Sequence, residues 1–222
     1  MPVFEGRFFS IVLVGRQNPR ILNHDFLIKH DVLPLDQHPF SELLALEEGK
    51  QFTEFVSVPV LATIKYGPIS IVVEENRYQI IDNRLDDPAS SPIIQITKNY
   101  FGKLLRYTPF QVGGVNLNGL IRFEDVEEEH KLDERLGLQR KALCDIAESA
   151  DVRAGLTFSA PWHKGVIEVQ LPKPKERTQP GTMNLNYEFP YEGIDSFLAN
   201  LDDIGLVWAK FRSILDWVGV SS

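Results

Sequence analysis

The chain has 222 residues, of which 43% are apolar, 24% charged and 10% aromatic, with 15 Gly and 14 Pro. At about 150 residues per domain this length supports a substantial core, and the composition excludes a disordered, collagen-like or mucin-like protein. The formal net charge of −8 disfavours a nucleic-acid partner, and a single cysteine, Cys144, excludes both an internal disulfide and a thiolate zinc cluster. No apolar run approaches the length of a membrane span, and the opening MPVFEGRFFSIVLVGR lacks the pattern of a secretory signal. The expectation is a cytoplasmic protein with no membrane contact and no cofactor.

Residues 7–14 alternate apolar side chains on both faces, the pattern of a central strand. Residues 21–40 have no sustained period and read as a packed connection with at most one helical turn, capped by Asn23. From Val56 the apolar side chains Val58, Val60, Ala62, Ile64 and Tyr66 keep a two-residue period and are expected on one pleated face. Gly67-Pro68 turns the chain into a strand with Ile69, Ile71 and Val73, and Tyr78, Ile80 and Ile81 form another. The short connections make these strands antiparallel.

After the polar break at 82–91, Pro92 opens a helix with Ile93, Ile96, Tyr100 and Leu104 at helical spacing, ended by Thr108-Pro109. A long strand follows with Val115, Leu117, Ile121 and Phe123 alternating against Asn116, Asn118 and Arg122. A second helix is expected over 128–147, then strands at 152–158, 167–171 and 183–189. The Pro-rich stretch PKPKERTQPG reads as an exposed loop, and an amphipathic helix over 193–218 closes the chain, with Gly205 marking a bend or a close contact with the sheet.

The expected fold is therefore α+β: antiparallel sheet layers covered by helices, in two quasi-similar units of three strands and a helix. It is one compact domain over 1–222, divisible into 1–125 and 126–222. Each sheet leaves one apolar face that the following helix covers.

Chemistry is sparse. The segment NHDFLIKHDVLPLDQH places His24, His30 and His38 among aspartates, suitable ligand types for zinc or iron or for an oriented base. Their spacing matches neither a strand nor a helix face, so ordinary loop residues are the preferred reading, with a metal-dependent hydrolase as the alternative. Cys144 reads as a small helical side chain, because neither His130 nor His163 carries the flank of a cysteine nucleophile. The acidic run FEDVEEEHKLDER reads as a solvated helix start, and it lacks the ligand spacing of a calcium loop. Lys98, Lys103 and Arg106 form the best basic cluster, without aromatic interleaving. Gly113-Gly114 lacks the phosphate-loop pattern and reads as a bulge or tight strand start.

Asn116 with Asn118, and Asn184 with Asn186, each line one face of a strand. If the strands neighbour one another, four amides form a polar ladder opposite the core, read first as a solvent-facing sheet and otherwise as a groove for a peptide or polar ligand. Trp162, placed at the turn of SAPWHKG, must pack back over the sheet or meet a partner. These five residues make the candidate binding surface, for a protein partner or self-association. The stretches NPRILNHDFLIKHDVLP, LLRYTPFQVGGVNLNG and MNLNYEF together resemble a loosely defined family of uncharacterised bacterial proteins. The resemblance implies an α+β fold in a bacterial cytosolic protein and carries no activity. The sequence thus favours a non-enzymatic interaction or structural component.

Overall fold

The computed structural model of the protein describes residues 2–33, 54–124, 126–135, 137, 156–171, 180–189 and 192–221. The predicted helix beyond 137, Cys144, His38 and the loop 172–179 lie outside the described residues.

The strands are β1 (Val3–Gly15), β2 (Glu54–Val58), β3 (Leu61–Tyr66), β4 (Ile69–Glu74), β5 (Arg77–Asp82), β6 (Phe110–Arg122), β7 (Leu156–Trp162), β8 (Gly165–Leu171) and β9 (Gly181–Phe189). They form one continuous antiparallel sheet in the order β2-β3-β4-β5-β1-β6-β9-β8-β7. The fold is α+β, with a single sheet rather than separate layers: the 13-residue strands β1 and β6 pair with one another at its centre. The alternation predicted across 56–66 breaks at Pro59-Val60, which turns the chain between β2 and β3. Val58 pairs with Leu61, so Val56 and Val58 stand on the face opposite Ala62, Ile64 and Tyr66 and are exposed.

The helices are α1 (His24–Lys29), α2 (Pro92–Asn99, continued by a π-helical turn Tyr100–Leu104), α3 (Val126–Arg135), α4 (Ile194–Asn200) and α5 (Ile204–Val218). Asn23 caps α1 as the sequence predicts, its side-chain oxygen accepting from Phe26 N at 2.8 Å. The terminal helix is interrupted by a 3₁₀ turn, Leu201–Asp203, just before Gly205, which is exposed, and a Cβ added there would lie 3.9 Å from the Ala89 methyl. No helix among the described residues is long and apolar enough to cross a membrane.

These helices share one face of the sheet. Tyr100 and Phe101 pack on Tyr78 of β5, Phe197 on Phe189 of β9, and Phe211 of α5 edge-on against Phe4 of β1 at 5.3 Å. The core side chains Phe9, Ile11, Leu13, Ile71, Ile80, Val115, Leu117, Val169 and Leu185 all point this way and are fully buried or nearly so. Each such side chain contributes about 1.5–3 kcal/mol through burial. Gly113 and Gly114 keep regular register with Leu13 and Val12, so no bulge occurs there. Their missing Cβ atoms instead admit neighbours: one added at Gly113 would lie 2.5 Å from the Phe197 ring.

Candidate functional site

The face opposite the helices carries a row of residues that crosses all nine strands: Glu54, Lys65, Ser70, Ile81, Ser10, Asn116, Asn186, Glu168 and Ser159 are successive cross-strand partners. Asn116 stands opposite Asn186 and Asn118 opposite Asn184, so the four asparagines meet as two rungs on β6 and β9. The Asn118 amide donates to the Asn184 side-chain oxygen, and Asn116 Nδ2 lies 3.4 Å from Ser10 Oγ on β1. All four are half-buried. At the β2 edge, Lys65 pairs with Glu54 at 2.6 Å.

Beside this polar row runs a valine band. Val12, Val14 and Val72 are half-buried there, and Val56, Val58, Val112 and Val166 are 37–44% exposed. Sequence reading missed the band because its members come from five strands, each contributing one or two side chains. Only the sheet order assembles them.

Trp162 does not join the asparagines. Strand alternation places it with Phe158 and Ala160 on the helix face, where its ring meets Tyr187 edge-on at 5.4 Å and the Tyr187 hydroxyl donates to its carbonyl oxygen at 3.3 Å. It closes β7 rather than sitting in the turn, which consists of His163 and Lys164. The predicted five-residue surface is thus split across two faces. On the helix face Trp162 lines a groove with Phe158, Ile167, Lys210, Ile214 and Trp217.

The histidines are also apart in role. His24 Nδ1 lies 3.1 Å from the Tyr66 hydroxyl, while the His30 ring packs on Phe26 at 4.5 Å. Burial lowers the pKa of His24 and raises that of Tyr66, which keeps the imidazole neutral and the phenol protonated. The pair therefore fits a phenol donating to an unprotonated Nδ1. Among the described residues no three His, Cys, Asp or Glu side chains converge as metal ligands.

The basic cluster is engaged within the fold. Lys98 pairs with Asp202, Arg106 with Asp195 at 3.1 Å, and Lys103 donates to the Asp31 carbonyl at 2.9 Å. Arg106 also lies beyond the helix that was expected to carry it. These contacts tie α2 and its continuation to α1 and to the C-terminal helical segment. In comparisons with known proteins, no protein-family model matches the chain, and no curated protein matches it.

Proposed function

We propose that the protein is a non-enzymatic protein-interaction or structural component of a bacterial cytosolic system, acting through the open face of its sheet. The observation that carries this reading is the valine band lying beside the paired asparagines. Interfaces combine apolar contact area with polar groups that are already satisfied, and an exposed apolar area on a folded domain marks a docking surface. The size of the surface favours a macromolecule. Val56 on β2 and Val166 on β8 stand seven strand spacings apart in the sheet order, roughly 34 Å at about 4.8 Å per spacing. No small ligand touches both.

A protein fits better than a nucleic acid, because Glu54, Glu74, Glu168 and Glu188 share this face and the chain is acidic overall. Self-association is the simplest case, since an isologous dimer would set the band of one copy on that of another. Two quasi-similar units belong to the same proposal: residues 56–105, which hold β2 from Val56 onward, β3 to β5 and α2, and residues 152–218, which hold β7 to β9, α4 and α5.

Light scattering on the purified chain, with Val112→Lys as the control, tests the reading. A mass of two chains that falls to one in the variant supports it, as does a host partner whose recovery depends on Val112. A monomer at every concentration, with recovered partners unchanged by the variant, overturns it.

A further inference from the structure

The groove between β7 and α5 lies on the other face of the sheet from the valine band and is independent of the function proposed above. Its floor is Phe158, Trp162 and Ile167, and its wall is Lys210, Ile214 and Trp217, which share one side of α5 at helical spacing. Trp217 is 58% exposed although it is large and apolar. Lys210 is the cation of this wall. No carboxylate among the described residues pairs with it, whereas Lys98, Arg106 and Lys164 pair with Asp202, Asp195 and Asp203 of the same C-terminal segment.

We propose that this groove binds a small apolar carboxylate, its ring or short hydrocarbon chain held between Trp162 and Trp217 and its carboxylate on Lys210 Nζ. The groove encloses about 300 Å³, the low end of the range for small-molecule sites, which suits a single ring with a short chain. Charge complementarity selects an acid: the unpaired ammonium at the edge of apolar walls supplies a charge-assisted hydrogen bond. An added peptide strand is disfavoured by Pro161. Trp162 and Gly165 close the two-residue turn and form the hydrogen-bonded pair, so alternation turns the backbone of Pro161 toward the outer edge of β7, the last strand of the sheet among the described residues. Proline offers no N–H there, and an incoming strand would lack that donor.

Because the chain carries a net charge of −8, long-range attraction alone would favour an amine over an acid. Saturation-transfer NMR on the full chain with 4-phenylbutyrate, 4-phenylbutanol and 4-phenylbutylamine separates the two. The site requires saturable binding of the acid about tenfold tighter than of the alcohol, and weakest binding of the amine. In Lys210→Ala the acid should fall to the level of the alcohol, and in Trp217→Ala both should be lost. Lys210→Met, which keeps the apolar stem, should behave like Lys210→Ala and guards against a misfolded variant. No saturable binding of the acid, equal binding of acid and amine, or a preference for acid that survives both Lys210 variants would overturn the proposal.

Discussion

Asn118 and Asn184, 66 residues apart in the chain, bond side chain to side chain across β6 and β9. Each amide supplies what the other lacks, so removing one strands its partner on a half-buried face. Asn118→Ala or Asn184→Ala should each cost about 1 kcal/mol in urea denaturation. The double variant Asn118→Val/Asn184→Val should cost less than the sum of its two single variants, because a β-branched cross-strand pair packs well in a sheet. Strict additivity in that cycle would show that the two amides do not interact in solution.

The ladder was half legible in the sequence. The i, i+2 spacing of each asparagine pair placed both members on one face, because strand periodicity is local. That the two strands are neighbours is a long-range fact, and it depends on the order of the whole sheet. The same limit explains Trp162: the sequence placed it at the turn, whereas β7 runs through it and sets it beside Phe158 and Ala160, and no local signal relates that face to the one holding the asparagines. Val58 and Val60 were misplaced for a different reason. A two-residue turn at Pro59-Val60 left the apolar period intact while reversing the chain, and Pro59 was the available signal, since proline inside an apparent strand argues against its continuing.

Two glycines give opposite predictions. A methyl at Gly113 would sit 2.5 Å from ring atoms of Phe197, within the packed contact of α4 on the sheet. Gly113→Ala should therefore destabilise by about 1–3 kcal/mol through overpacking. At Gly102, in the π-helical turn, the nearest heavy atom is a Leu198 methyl at 3.7 Å, an ordinary contact. Gly102→Ala should stabilise by about 0.5–1 kcal/mol by restricting the unfolded chain. Thermal denaturation of the two variants distinguishes a steric requirement from mere tolerance of glycine.

The C-terminal helices are required for folding. Ile194, Phe197, Leu201, Ile204, Val207, Phe211, Leu215 and Val218 are at most 8% exposed and cover the β1, β6 and β9 part of the sheet. Losing them would expose apolar surface worth about 1.5–3 kcal/mol per side chain, more than the stability of a typical domain. A chain ending at residue 190 should show no cooperative thermal transition, and an undiminished midpoint would contradict this.

The His24–Tyr66 contact makes stability depend on pH near neutrality. Burial lowers the pKa of His24 in the folded protein, so the unfolded chain binds the proton more readily. The contribution is present above the unfolded histidine value of about 6.5 and is lost as pH falls through the lower folded value. The wild-type melting temperature should decline between about pH 7 and 5. His24→Gln, which retains a hydrogen-bonding group without a titration in this range, should flatten that decline. An unchanged profile would place the proton uptake elsewhere.

The turn between β7 and β8 is held by contacts to the start of α5. His163 has a φ of +52°, a left-handed conformation in which a side chain costs roughly 1 kcal/mol relative to glycine. Lys164 Nζ lies 3.0 Å and His163 Nε2 3.5 Å from the same Asp203 carboxylate oxygen. The hydrogen bond from Lys164 holds the Asp203 carboxyl below its usual pKa, so this contact contributes above pH about 4 and fades as pH falls through the lower folded value. The Asp203 side chain is partly exposed and its partners are open to solvent, so its contribution should be small and weakened by salt. His163→Gly removes the strain while keeping Lys164 on Asp203, and it should raise the melting temperature. Asp203→Asn should lower it at pH 7 and converge with wild type once the pH falls below the lowered Asp203 value. If His163→Gly instead lowered the melting temperature, the contact of the imidazole with Asp203 would outweigh the backbone strain, and the turn would depend on that side chain rather than on Lys164.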